Sequence, residues 1–345
     1  MKNVATSNTS AASARHGIDL SLLDRDIDFE DSDASRGEIA EFLENDIRGY
    51  FSGRPTSLEE LIFTGSFASY DGKRQEVLSL LEERESVRFL VLSYLGKMQS
   101  ALKSPYRNPD LSSIAFLNRL DFFAKTAEEI SGKTVSVTVA AENRAFDVSI
   151  FRTGEDSSEE MLGLTRGLLH DFGLENVKAE PLEKFLGGDA YYKEFEAELE
   201  RERADMESLN SVSFRHVFDI FYTLYPTRTF SDAVTVYASD ANVGAISDWA
   251  TESTLRYSAF HEARAKTDFW GSNPEYIRSS VSSRPGVLVF QYGPGRVSPF
   301  NGVSVIKGDG IGTEYFSDLV GDKPAGTAKF RRLRYKNLPF CFDMR

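Results

Sequence analysis

Only one cysteine, Cys341, occurs in the 345 residues, which excludes an internal disulfide framework and a cysteine-built zinc cluster. Lying in the apolar run LPFCF, it reads as a small core residue rather than a reactive thiol, and a lone thiol suits a reducing, cytoplasmic setting. The four histidines, His16, His170, His216 and His261, are far apart and never fall in an HxxxH or HxH pair, so no local metal motif exists and no metal is expected. Positive charge is scarce: 40 basic against 53 acidic residues leave a net charge of -13, which works against nucleic acid as a partner. No apolar run reaches the ~18 residues of a membrane span. The first residues, MKNVATSNTSAASARHG, lack the apolar core of a secretory signal. The glycine pieces QYGPG and KGDGIG match neither GxGxxG nor GxxxxGK[ST] and read as turns. No GxSxG nucleophile elbow is present.

What is present suffices for a sizeable core, with 41% apolar and 12% aromatic residues. Residues 1–34 are expected to form a disordered or loosely attached tail, poor in apolar residues and acidic towards its end. Residues 35–345 are expected to form a single α/β domain. Helical periodicity marks Ser35–Tyr50, Gln75–Glu85, Leu111–Ile130 and 158–172, the last stopped by Gly173. Val87–Tyr94 and Thr134–Ala140 read as buried strands, with a further short strand at Glu175–Ala179. This alternation predicts a Rossmann-like, mostly parallel sheet flanked by helices over about 87–186. A helical insertion follows over about 190–267, where the segment KEFEAELERERADME reads as a solvated face or an acidic docking face. The remainder, about 277–342, is β-rich, with strands at Val287–Tyr292, Val303–Lys307 and Lys329–Phe342 that complete or cap the sheet.

The stretch from Ile277 to Val305 places Arg278, Arg284 and Arg296 among Ser, Asn, Gly and Pro turn residues on either side of one apolar strand. A planar guanidinium binds carboxylate or phosphate bidentately, so a small anionic ligand is expected here. Each of these arginines can also serve as a structural ion pair.

Separated segments resemble, in order and spacing, the isocyanide (isonitrile) synthases, the pyoverdine/dityrosine biosynthesis family. FLVLSYLGKMQSALK followed by NPDLSSIAFLNRL is similar to that family's strand with a Phe-Pro-x-Lys-Ser ending, then Pro-Asp and a helix; Lys97, Pro109 and Asp110 match. VSVTVAAENRAFDV is similar to its strand and Ser-Asp-Gly-Arg-Val-Phe loop; Arg144 and Phe146 match, and Glu142 stands in place of Asp. IRSSVSS resembles Ile-Arg-Leu-Ser-Ile-His through Arg278 and Ser280, SPFNGV resembles a Pro-Trp-His segment through Pro299, and RYKNLPFCF resembles the closing Gly-x-Pro-Tyr-Tyr-Tyr. Ser282, Asn301 and Phe300 replace the family's two histidines and its tryptophan.

The resemblance implies an enzyme of secondary metabolite biosynthesis that condenses the amine of an amino acid, or related amine, with the ketone of ribulose 5-phosphate. Fragmentation then leaves an isonitrile carbon on nitrogen, with no redox or metal cofactor. It also implies Lys97, Glu142, Arg144 and Arg278 as catalytic candidates. Asp110, Phe146, Ser280, Ser282, Arg284, Tyr292, Arg296 and Asn301 become substrate-binding candidates. Asp110, after Pro109, can equally cap the helix that follows. Serine and asparagine cannot readily replace histidine as a proton carrier, so Lys97, Glu142 or His261 would take that role. The alternatives are a different carbon–nitrogen chemistry on the same fold, or a catalytically silent relative that binds a small anion or a protein partner. An oligomer is possible.

Overall fold

A computed structural model describes residues 28–51, 53–63, 67–68, 73–93, 108–141, 157–207, 255–256, 258–260, 262–269, 271–280, 288–290, 302–308, 310–314, 319 and 329–344. The central layer is a six-stranded sheet in the order β2-β7-β6-β3-β4-β5. Its members are β2 (Phe67–Ala68), β3 (Ser86–Ser93), β4 (Thr134–Ala141), β5 (Val177–Pro181), β6 (Tyr276–Ser280) and β7 (Leu288–Phe290). All neighbours run parallel except β2 and β7. The central strands are apolar on both faces because both faces are covered. Val87, Phe89, Val91, Val135, Val137 and Val139 enter one core cluster, while Leu90 and Ala140 enter another on the opposite face.

The first face is covered by α4 (Leu111–Ser131) and α5 (Ser157–Asp171), the helices expected from the periodicity near these positions. Gly132 ends α4 in the left-handed region at φ 69° and donates to the Glu128 carbonyl at 2.8 Å, which allows β4 to start two residues later. α1 (Arg36–Tyr50), α2 (Leu58–Phe63) and α3 (Lys73–Glu83) complete the cover. Ser35 and Glu38 form the capping box that begins α1. Asp46 of α1 receives both Nε (2.7 Å) and Nη2 of Arg119 in α4. Both side chains are buried, and the guanidinium lies 4.4 Å from the Tyr50 ring centroid.

α6 (Asp189–Glu207) covers the second face together with helical residues 255–256, 258–260 and 262–266. This departs from the expectation of a solvated helix. Tyr191, Phe195 and Leu199 are buried, and so are Glu198 and Glu202. Lys266 compensates this charge by pairing with Glu194 at 2.9 Å and with Glu198. The outward-facing acidic residues are therefore only part of this helix.

A second, five-stranded sheet has the order β1-β10-β11-β8-β9. It contains β1 (Asp28–Asp33), β8 (Val303–Lys307), β9 (Gly310–Glu314), β10 (Lys329–Tyr335) and β11 (Leu338–Asp343). β1 corrects the expectation of a loose tail at its C-terminal end: Asp28–Asp33 lies parallel to β10 in a six-residue register. Arg332 donates to both Asp31 oxygens, at 2.6 and 2.8 Å, and its guanidinium covers the Phe29 ring. That contact holds the Asp31 carboxyl below its ordinary range. Residues 1–27 lie outside the described part. The run Lys329–Phe342, expected as one strand region, is a hairpin whose turn residues Lys336 and Asn337 have φ of 50° and 64°. Ile306, Leu333, Phe340 and Cys341 join the same core as Val87 and Phe89, so α4 packs between the two sheets. Cys341 is buried there, in keeping with its apolar sequence context.

Asp46→Ala should destabilise the fold by about 3–5 kcal/mol, because it strands a buried guanidinium. Asp46→Leu with Arg119→Met should recover most of that loss in chemical denaturation. Burial pushes the Glu202 carboxyl above its ordinary value of 4.5, against the Ser258 hydrogen bond and Arg201. A raised carboxyl favours the folded state most below that value and loses the contribution as pH rises through the folded value. Glu202→Gln should therefore melt higher than the parent at neutral pH, an advantage that disappears in acid.

Candidate functional site

β3, β4, β5, β6 and β7 all run in one direction, so their carboxyl ends share one edge. The register pairs Ser93 with Ala141, Ala141 with Pro181, Val91 with Ser279, and Ser280 with Val289. The chain proceeds outwards from β3 through β4 to β5, then resumes on the other side of β3 with β6 and β7. The order thus reverses between β3 and β6. In open α/β sheets such a reversal opens a crevice beyond the strand ends, because the connections leave on opposite faces.

Most of the expected site residues follow these strand ends along the chain. Lys97 follows the last residue of β3, Ser93, by four positions, and Glu142, Arg144 and Phe146 come one, three and five positions after Ala141. Ser282 and Arg284 follow Ser280 of β6, while Tyr292 and Arg296 follow Phe290 of β7. Asn301 immediately precedes Gly302 and β8. Those nine residues lie outside the described residues. Two others are on β6 itself: the backbone of Arg278 pairs with Leu90, and that of Ser280 with Val289. At about 4.8 Å per strand step, the exits of β7, β6, β3 and β4 span roughly 14 Å.

Asp110 is a candidate whose side chain lies among the described residues. It caps α4, accepting from Ser113 N at 3.2 Å. The same Oδ1 accepts from the hydroxyls of Ser112 (3.0 Å) and Ser113 (3.2 Å), and Oδ2 accepts from Ser304 N at 2.9 Å. Both oxygens of this buried carboxylate are thus engaged by internal donors. Of the two roles compatible with the sequence, the helix cap is the one its geometry serves. The adjoining crevice, between Asn108, Asp110, Ser304 and Phe340, has about 10 Å³ of free volume, room for a single water rather than an amino acid.

Sequence reasoning missed Ser304 and Asn108. Ser304 is an isolated hydroxyl between Val303 and Val305 in an apolar strand, and it is 0% exposed. Asn108 donates to the Pro339 carbonyl at 2.6 Å. A polar residue inside a fully apolar strand is the signal that could have marked Ser304, because a buried hydroxyl requires a partner. Among the described residues, no three His, Cys, Asp or Glu side chains are grouped to hold a metal ion. No described helix is long and apolar enough to cross a membrane.

The fold defines an α/β protein with a mostly parallel, helix-covered sheet joined through α4 to a β-rich C-terminal sheet. No family model and no curated protein sequence matches the chain. Among solved structures, the crystal structure of the PvcA protein from Pseudomonas aeruginosa shares this fold. Its TM-score is 0.57 at 16% sequence identity, over 79% of this chain and 90% of that one.

Proposed function

We propose that this chain is an isocyanide synthase-like enzyme of secondary metabolite biosynthesis. It converts the amine of an amino acid, or a related amine, to an isonitrile with ribulose 5-phosphate as carbon donor. The observation that carries the reading is the strand reversal between β3 and β6. Segments bearing Lys97, Glu142, Arg144, Ser282, Arg284, Tyr292 and Arg296 follow the carboxyl ends of four neighbouring parallel strands. The likeness in fold to the PvcA protein supports the α/β scaffold that this reading needs.

The chemistry asks for two anion sites, one for the substrate carboxylate and one for the phosphate. Arg144, Arg278, Arg284 and Arg296 supply them, since each guanidinium offers a planar fork. Condensation of the amine with the ketone releases water and requires proton transfer at nitrogen and oxygen; Lys97 donates and Glu142 accepts in this scheme. Phe146 and Tyr292 line the substrate side chain. Ser280, Ser282 and Asn301 orient the sugar by hydrogen bonding. Ser282 and Asn301, standing where the resembling family has histidines, favour a second reading in which the same site performs a different carbon–nitrogen reaction.

Incubation of the purified protein with each amino acid and ribulose 5-phosphate labelled at its ketone carbon should give one labelled product. That product is heavier than the amino acid by one carbon and lighter by two hydrogens. Label in no product with any amino acid would remove the isonitrile reading and leave the second. Arg278→Ala should lower kcat/KM by about 100-fold, the order of one lost charge-assisted hydrogen bond, with little change in Tm. A collapse of Tm instead would make Arg278 a structural residue.

A further inference from the structure

We infer that β1 is a charge-latched strap: an acidic strand held on the basic edge of β10 by salt-sensitive pairing, which opens while the rest of the C-terminal sheet stays folded. The inference goes beyond the isonitrile reading and does not depend on it.

The parallel register of the two strands sets acid beside base in four of its six pairs: Asp28 with Lys329, Glu30 with Arg331, Asp31 with Arg332 and Asp33 with Arg334. Residues in register share a face of the sheet, so opposite charges there attract. A chain of net charge -13 thus gathers four cations within residues 329–334. The fork of Arg332 holds both oxygens of Asp31, at 2.6 and 2.8 Å, and Arg331 Nε donates to Ser32 Oγ at 3.4 Å.

Apolar burial adds little to this pairing. Glu30, Asp31 and Asp33 are exposed, while Phe29 and Ser32 are half-buried. The Phe29 ring lies 5.8 Å from that of Phe342 and 4.5 Å from the Arg332 guanidinium. By contrast, β8 buries Val303–Ile306 and β11 buries Phe340–Asp343. β1 is also the end strand of its sheet. Among the described elements it is in extended contact with β10 alone.

The departure of β1 leaves its neighbours with their own bonds. β10 keeps its antiparallel pairing with β11, and Arg331 keeps Asp343 at 3.4 Å. α1 starts with its own capping box, in which Ser35 N donates to Glu38 at 2.8 Å and Glu38 N donates to Ser35 Oγ at 3.2 Å, so it loses no cap. Ala34 N, donating to the Arg334 carbonyl at 2.8 Å, is the last bond of the strap, which puts the hinge at Ala34 and Ser35. An edge strand integrated by apolar packing would instead open only together with its sheet.

Hydrogen exchange of the full chain at neutral pH tests this in about 0.01 M and about 1 M NaCl, where charges are felt over ~30 Å and ~3 Å respectively. In the higher salt, exchange over Asp28–Asp33 should be roughly tenfold faster. Val303–Lys307 and Leu338–Asp343 should keep their low-salt rates. Exchange in Asp28–Asp33 that ignores salt, or an acceleration shared equally by all three strands, would overturn the inference. Asp31→Asn removes one charge and keeps one acceptor. At the lower salt it should speed exchange in β1 by about fivefold, and its difference from the parent should narrow at the higher salt. A difference untouched by salt would mean that charge does not hold the strap, and would also overturn the inference. The salt comparison on the parent needs no variant, so it decides the matter even if Asp31→Asn fails to fold.

Discussion

A buried carboxylate at the start of α4 joins the two sheets of this protein. The Asp110 side chain is buried, and its removal from water is offset by four internal donors at the start of a 21-residue helix. One of those donors comes from β8, so the helix that covers the parallel sheet is bonded at its first turn to the C-terminal sheet. Along its length α4 then buries Ile114, Leu117, Leu120 and Phe123 in one core shared by both sheets. Asp110 thus bonds the first turn of α4 to β8, and α4 packs against strands of both sheets.

Charge is used inside this acidic protein as much as on its surface. Asp46 with Arg119, Glu198 with Lys266 and Arg201, and Asp343 with Arg331 all involve carboxylates that are nearly inaccessible to water. Each joins elements distant in sequence, neighbouring strands of a hairpin or adjacent turns of one helix, and each costs desolvation that a well-placed cation offsets. Asp31 and Arg332 do the same with more exposure at the edge of the C-terminal sheet, where they add to the backbone pairing of β1 with β10 and the packing of Phe29 on Phe342.

Most elements of the parallel sheet were legible because their signals are local. VRFLVLS and TVSVTVAA are short apolar runs that only a doubly covered strand satisfies, and Ser35 with Glu38 announces a helix start within four residues. β1 was not legible, since its partners Arg331, Arg332 and Arg334 lie some 300 residues away. Nor was the burial of Glu198 and Glu202: a dense run of Glu and Arg reads as solvated until Lys266 is brought alongside. For the candidate site, the strands β3, β4 and β7 and the residues after them could be named, whereas β6 was not expected as a strand. The reversal between β3 and β6, which places those ends side by side, is a matter of strand order that no single segment encodes.

The resemblance alone implied Lys97 and Glu142; the amino-acid sequence by itself determined the class of fold, the positions of most helices and of β3, β4 and β5, and the arginines among turn residues that could meet an anion. Those follow from periodicity, turn chemistry and residue type, all properties of neighbours along the chain. Tertiary structure alone decided that Asp110 spends both oxygens within the protein, that Ser304 is its distant partner, and that an acidic N-terminal stretch becomes a strand. A hydrogen bond or ion pair between residues about 200 or 300 positions apart has no local signature, because its free energy exists only once folding has brought the two groups together and removed the water between them.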